Sequence, residues 1–306
     1  MRVEFINELI DSSDSIDCIF NELKKIYFQN PEIENMEIEK YYRTTEMKLL
    51  KLEKFLLETY YEVYTEKLKK ETIDTKPQWL NQLASDNNTL ILIMDALSFR
   101  EAGYIYNQLK RSYSIDFEYE FSAFPSETEH FKEKINLRQL KKEYKFKKIN
   151  SFENVIIDGD EEIIWTSYPD ALIEELKAGK TLKANIIEVI KKTKYVIDEI
   201  LKKTNKERII ITSDHGYIRT ESMYNIKVDT TNLKRFFSGS RYKKNDNDNS
   251  RAKQLLDQHL VCENNGIYVP ISHFGWPTRG KYSVASHGGL SLTEGITPKL
   301  IIRGDR

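Results

Sequence analysis

From about residue 86 the chain alternates compact apolar runs with stretches of helical period. Leu90 to Met94 is followed by a helical pattern from Ser98 to Lys110, then Phe117 to Ala123 and Val155 to Ile157 as runs, Thr181 to Lys202 as a helix, and Ile209 to Thr212 as a further run. Short β-branched runs read as strands, and strands separated by helices read as crossover units, which build a mostly parallel sheet flanked by helices. The expected fold class is therefore α/β. In such sheets the residues just past the carboxyl end of each strand face the ligand crevice, so those residues carry the functional argument.

The preceding region reads differently. From Asp14 to about Lys70 the sequence is poor in Gly and Pro, and Met47, Leu50, Leu57, Tyr61, Tyr64 and Leu68 recur at spacings of three, four and seven. This predicts a short helix and a long one, separated at Pro31. Leu49, Leu52, Phe55 and Leu56 widen the apolar stripe beyond a coiled-coil seam, which favours packing on the following domain over a partner helix. Thr72 to Pro77 ends the helical stretch, and Trp79, Leu80 and Leu83 suggest a short docking segment. The expected division is a helical N-terminal segment, 1–85, and an α/β domain, 86–306.

Charge excludes some roles. With 47 basic against 48 acidic side chains, no global field points toward nucleic acid or membrane, and an anionic substrate must be attracted locally. The two cysteines, Cys18 and Cys262, sit far apart in unrelated contexts, so reduced thiols in a cytoplasmic protein are expected. The first residues, Met1 to Phe5, lack the apolar stretch of a signal peptide, and no run approaches membrane-spanning length. The polar segment from Ser238 to Ser250 is expected to be a surface loop, its basic stretch Arg241 to Lys244 solvated, with contact to a phosphate backbone as the alternative.

Five places could do chemistry. The run Ile209-Ile210-Ile211-Thr212 ends in Ser213-Asp214-His215-Gly216-Tyr217, and a carboxylate beside an imidazole suits a divalent metal. Alone, this sequence also suits a turn with a capping Asp. Asp95 closes the run Leu90 to Met94 just before a helix, where it reads as a ligand at the rim or as an N-cap. Phe121 to His130 is a strand entering a Pro-led turn and a helix; Thr128 there is a candidate nucleophile, while Ser126 with Glu129 fits a capping box. Helix-start amides and an adjacent metal would favour a phosphate at that turn. His287 stands before Gly288 and Gly289, which let the backbone approach closely. Asp170 and Glu174 lie one helical turn apart and could present two carboxylates to one metal, or simply cap a solvated helix. His130, His259 and His273 match no motif and read as structural or solvated.

The order of these pieces resembles the alkaline-phosphatase superfamily. Asp95 after an apolar strand, the turn from Pro125 to Thr128, Asp214-His215-Gly216 and His287-Gly288-Gly289 carry the resemblance. Within it, Asp95-Ala96-Leu97-Ser98-Phe99-Arg100, Asp214-His215-Gly216-Tyr217 and His287-Gly288-Gly289-Leu290-Ser291 are most similar to the PglZ family, over roughly residues 86 to 306. The resemblance implies that Asp95, Asp214 and His215 hold one zinc, with Thr128 as the nucleophile bridging toward it. His287 would belong to a second zinc together with Asp170, and Glu174 stands where the superfamily has a histidine. An oxygen-rich second site admits Mn²⁺ or Mg²⁺ in place of zinc. The family's arginine is displaced, since Ser98 and Phe99 precede Arg100.

The function implied is a metal-dependent phosphoester hydrolase, a phosphodiesterase or nucleotide-directed phosphatase, linked to phage defence. The alternatives are a catalytically silent scaffold that recruits a protein partner through its N-terminal helices, and a transferase or phosphomutase. A phosphoester or nucleotide is the expected substrate.

Overall fold

The computed structural model describes residues 3–12, 14–29, 36–177, 186–219, 230–244, 249–275 and 285–303. Pro31, the first residues of the helix expected from Thr181, and positions 245–248 of the expected surface loop lie outside the described residues.

The chain begins with helices α1 (Val3–Asp11), α2 (Ser15–Tyr27) and α3 (Ile38–Thr59), a π-helical turn (Val63–Leu68), α4 (Lys69–Asp74) and α5 (Trp79–Ser85). There follow β1 (Thr89–Met94), α6 (Phe99–Leu109), β2 (Ser114–Phe121), α7 (Thr128–Lys134), α8 (Leu137–Glu143), β3 (Phe146–Ile149), β4 (Ile163–Thr166), α9 (Asp170–Lys177) and α10 (Ile186–Lys203). The remainder comprises β5 (Arg208–Ser213), β6 (Ile218–Arg219), α11 (Thr230–Phe237), β7 (Lys243–Lys244), α12 (Asn249–Asp257), β8 (Val261–Asn264), β9 (Ile267–Pro270), β10 (Ala285–Ser286), α13 (Leu292–Gly295) and β11 (Ile296–Arg303).

The central sheet has the order β2-β11-β5-β1-β4-β3. β1 is parallel to β4 and β5, and β3 to β4, whereas β11 is antiparallel to both β5 and β2. Every strand of this sheet except β11 therefore runs the same way, giving the mostly parallel, helix-flanked α/β architecture. β1 is buried along its whole length, as a central parallel strand covered on both faces must be. Its alternate residues serve two cores. Leu90, Leu92 and Met94 pack with α3 and α6 through Tyr41, Tyr42, Leu49, Leu52, Phe99 and Ile105. Ile91 and Ile93 pack on the opposite face with Trp79, Phe131, Leu140, Ile163, Trp165 and Ile210. Full burial of such side chains contributes roughly 1.5–3 kcal/mol each.

This direction of strands fixes one rim. The carboxyl ends of β1, β2, β4 and β5 and the start of β11 all open there, which brings Asp95, the turn to Thr128, Asp170, Asp214 with His215, and the His287 stretch to the same side.

Several local expectations are corrected. Val155 to Ile157 forms no strand: Ile156 is 57% exposed, and the run is too short to cross the sheet. The strands there are β3 and the wholly buried β4. The expected long helix stops at Thr59, where Tyr60 leaves helical geometry (φ −151°, ψ 56°), and resumes as a π-helical turn that buries Val63, Tyr64 and Leu68. Met47 is exposed, and the buried face of α3 includes Thr45, Glu46 and Glu53 beside Tyr42, Leu49, Leu52 and Leu56. Reading apolar residues alone shifts the stripe, because buried carboxylates with partners belong to it. Described parts of the expected loop from Ser238 are regular structure: Lys243–Lys244 pairs with β9, and α12 starts at Asn249. Among the described residues no helix is long and apolar enough to cross a membrane.

Candidate metal centre

At the end of β1 the chain turns sharply, with Ala96 in the left-handed region (φ 62°) and its amide donating to Asp214 Oδ1 at 3.1 Å. The cap of α6 is Ser98, in a reciprocal box with Glu101, so Asp95 is not the N-cap. The β5 loop is fixed against the β1 loop by Ser213 Oγ, which reaches Met94 O at 2.7 Å and His215 O at 2.6 Å. Asp214 Oδ1 also accepts from the His215 amide at 2.9 Å. Gly216 is required by space: a Cβ there would stand 2.0 Å from Thr293 O.

Thr128 opens α7, and its hydroxyl faces this loop pair. Oγ1 donates to Asp214 Oδ2 at 2.7 Å and lies 3.2 Å from Asp95 Oδ1 and 3.1 Å from His215 Nε2. The capping box expected from Ser126 and Glu129 is absent: Glu127 occupies the N-cap without a side-chain bond, and Ser126 Oγ donates to Ala123 O instead. His215 Nδ1 lies 2.9 Å from Gly216 O, an acceptor only, so Nδ1 carries hydrogen and Nε2 faces Thr128.

A second cluster stands beside the first. One donor atom each from Asp170, Glu174 and His287 falls within 4.8 Å of the others, as does one each from Asp95, Asp214 and His215. His287 Nε2 lies 4.0 Å from Asp170 Oδ1, and its ring stacks on that of His215 with centroids 4.4 Å apart and planes 18° apart. Gly288 takes φ 103°, a conformation that glycine adopts without steric cost.

Residues 143–302, just over half of the chain, match the family described as the BREX system PglZ alkaline phosphatase-like domain. The chain belongs to the PglZ family. The matched stretch includes Asp170, Glu174, Asp214, His215 and His287, and begins after Asp95 and Thr128. No curated protein matches the chain.

The electrostatics of this PglZ site are those of crowded carboxylates. Burial, then Asp214, pushes the Asp95 carboxyl well above its ordinary range. Burial would lower His215, but Asp214, Asp95 and Asp170 outweigh it and push the imidazole up from 6.5 to about 9. A donor set of Asp, Asp and His fits zinc, and one of Asp, Glu and His also fits harder divalent ions.

Two basic residues singled out in the sequence do not line the site. Arg100 is fully buried, forked onto Glu46 and donating to Tyr217 O. Arg241, expected in a solvated loop, is buried against Glu294 at 2.7 Å. Of the other histidines, His273 is buried between Glu46 and Glu53, His259 lies against Tyr61, and His130 meets Tyr242 edge-on. One site neighbour was missed in the sequence. Glu127, the residue before Thr128, places Oε1 3.8 Å from His287 Nδ1, and burial raises its pKa. Its only sequence signal is adjacency to the candidate nucleophile.

Proposed function

We propose that this PglZ chain is a metal-dependent phosphoester hydrolase that acts on phosphodiesters or nucleotides through Thr128. The observation that carries the reading is the convergence of Asp95, Asp214 and His215 on the Thr128 hydroxyl, beside a second ligand set from Asp170, Glu174 and His287. Asp95, Asp214 and His215 would hold one divalent ion and the second set another, zinc at the first and zinc, Mn²⁺ or Mg²⁺ at the second. Such ions lower the pKa of a coordinated alcohol and offset charge on phosphoryl oxygens.

The chain's own residues do the rest. Asp214 accepts the Thr128 hydrogen bond and so fixes the position of Oγ1. Attack by Oγ1 on phosphorus, its proton passing to Asp214, forms the oxygen–phosphorus bond as the bond to the leaving oxygen breaks; water then cleaves the phospho-threonine, returning a proton to Oγ1 and releasing the phosphate product. Residues 1–85 act as the helical segment and 86–306 as the hydrolase domain, in a phage-defence setting that the family name supports. A catalytically silent scaffold is the second reading, supported by exposed Glu174 at the superfamily's histidine position. The test is hydrolysis of bis-p-nitrophenyl phosphate and p-nitrophenyl phosphate with Zn²⁺ or Mn²⁺. Turnover abolished in Thr128→Ala supports the enzyme, and cleavage of neither ester favours the scaffold.

Binding of metal should release protons. With its pKa near 9, His215 in the metal-free protein is protonated at pH 7, and a ligand imidazole must be neutral. Affinity should therefore rise with pH up to about 9. The sign for stability is opposite: the protonated imidazole favours the metal-free fold fully below 6.5, and this contribution fades as pH rises through about 9. Calorimetric zinc titrations in buffers of different ionisation enthalpy should give different heats, and buffer-independent heats would contradict the assignment.

A further inference from the structure

Helix α3 carries two buried carboxylates, Glu46 and Glu53. Seven residues make nearly two turns, so both leave the same face of the helix. A carboxylate in such a place is costly without partners. His273 lies between the two, and each has further partners that lie behind one of the two ligand loops.

Glu46 forms a fork with Arg100, at 2.6 Å to Nε and 3.2 Å to Nη2. Arg100 Nη1 in turn donates at 2.9 Å to the carbonyl of Tyr217, two residues past His215. One turn before Glu46, Tyr42 places its hydroxyl 2.6 Å from that of Tyr217, and the two hydroxyls reach Glu101 Oε1 at 2.9 and 2.5 Å. Tyr217 is thus held at its carbonyl and at its phenol end by groups that trace to α3. The His215 loop cannot shift without breaking these bonds.

Glu53 serves the other loop. It accepts from Tyr64 Oη at 2.8 Å, Ser272 Oγ at 2.5 Å and the backbone amide of Leu292 at 2.8 Å. Leu292 opens α13, just after the His287 turn. That turn is closed by Glu294, which accepts from the amides of Gly289 at 2.9 Å and Ser291 at 3.2 Å.

We propose that α3, with Tyr64 of the π-helical turn that follows it, is a positioning element for both ligand loops, Glu46 with Tyr42 behind His215 and Glu53 with Tyr64 behind His287, so that cation affinity at each cluster is set separately from this helical segment. The inference rests on the metal-hydrolase reading above.

The test uses zinc affinity, measured by competition with a chromophoric chelator, in full-length proteins that keep one cluster each. His287→Ala leaves the first cluster and His215→Ala the second. Adding Tyr42→Phe should weaken zinc binding about 10-fold in the His287→Ala protein and leave the His215→Ala protein unchanged, with Tyr64→Phe showing the reverse. Replacing the pair together, Glu46→Met with Arg100→Met, removes both buried charges at once, a change that buried pairs often tolerate, and leaves His273 its Glu53 partner while releasing Tyr217. It should weaken the first cluster as Tyr42→Phe does. Affinities within about twofold of the parents, or equal losses at both clusters, would overturn the inference, since general loosening is not selective. If neither single-cluster parent binds zinc, the hydrolase reading fails and the inference falls with it.

Discussion

Thr128→Ala is expected to lower ester hydrolysis by roughly 10⁴–10⁶-fold, the scale on which loss of an activated nucleophile acts. The hydroxyl sits at the centre of the first cluster, within 3.2 Å of Asp95, Asp214 and His215, and already donates to Asp214. Zinc content should be nearly unchanged, because Asp95, Asp214 and His215 remain. Thr128→Ser keeps an oxygen at the same place and should recover a measurable part of the rate. Initial rates at saturating substrate, with zinc content measured on the same samples, check this. An alanine variant that kept more than about a tenth of the activity would show that the threonine is not the nucleophile.

Arg241→Met should destabilise the fold by about 3–5 kcal/mol, because it leaves a buried Glu294 carboxylate without its counter-charge. Arg241 holds Glu294 at 2.7 and 2.8 Å and also donates to Phe274 O and Ser272 O. The same Glu294 closes the turn after His287, and a Cβ on Gly289 would stand 2.3 Å from the Arg241 guanidinium. Chemical denaturation of the metal-free proteins measures the change. A difference under about 1 kcal/mol would place the pair among the weak surface type.

The part of this structure visible in the sequence is the part with local signals. The run Leu90 to Met94 is a central strand because continuous β-branched and aliphatic residues have one low-energy use, burial on both faces. These candidate ligands also stood immediately after such a run or beside paired glycines, so Asp95, Asp214, His215 and His287 could be singled out. What stayed hidden depends on contacts between distant segments. Glu46 and Glu53 carry no signal in the sequence that sets them apart from other helix carboxylates; their burial depends on Arg100, Ser272 and Leu292, all from distant segments. Arg241 read as loop charge for the same reason, its partner lying 53 residues away. β3 was missed because Lys147 and Lys148 interrupt its apolar pattern, as edge strands commonly allow. The break of α3 at Tyr60 has no proline or glycine to announce it.

The most direct test of the central claim is zinc content by mass spectrometry after equilibrium dialysis of full-length protein against micromolar zinc. Two ions per chain in the wild type, about one in either His215→Ala or His287→Ala, and none in the double variant is the predicted result, since each imidazole belongs to a separate cluster. Wild-type protein that retained no zinc above the double variant would contradict the metal centre itself.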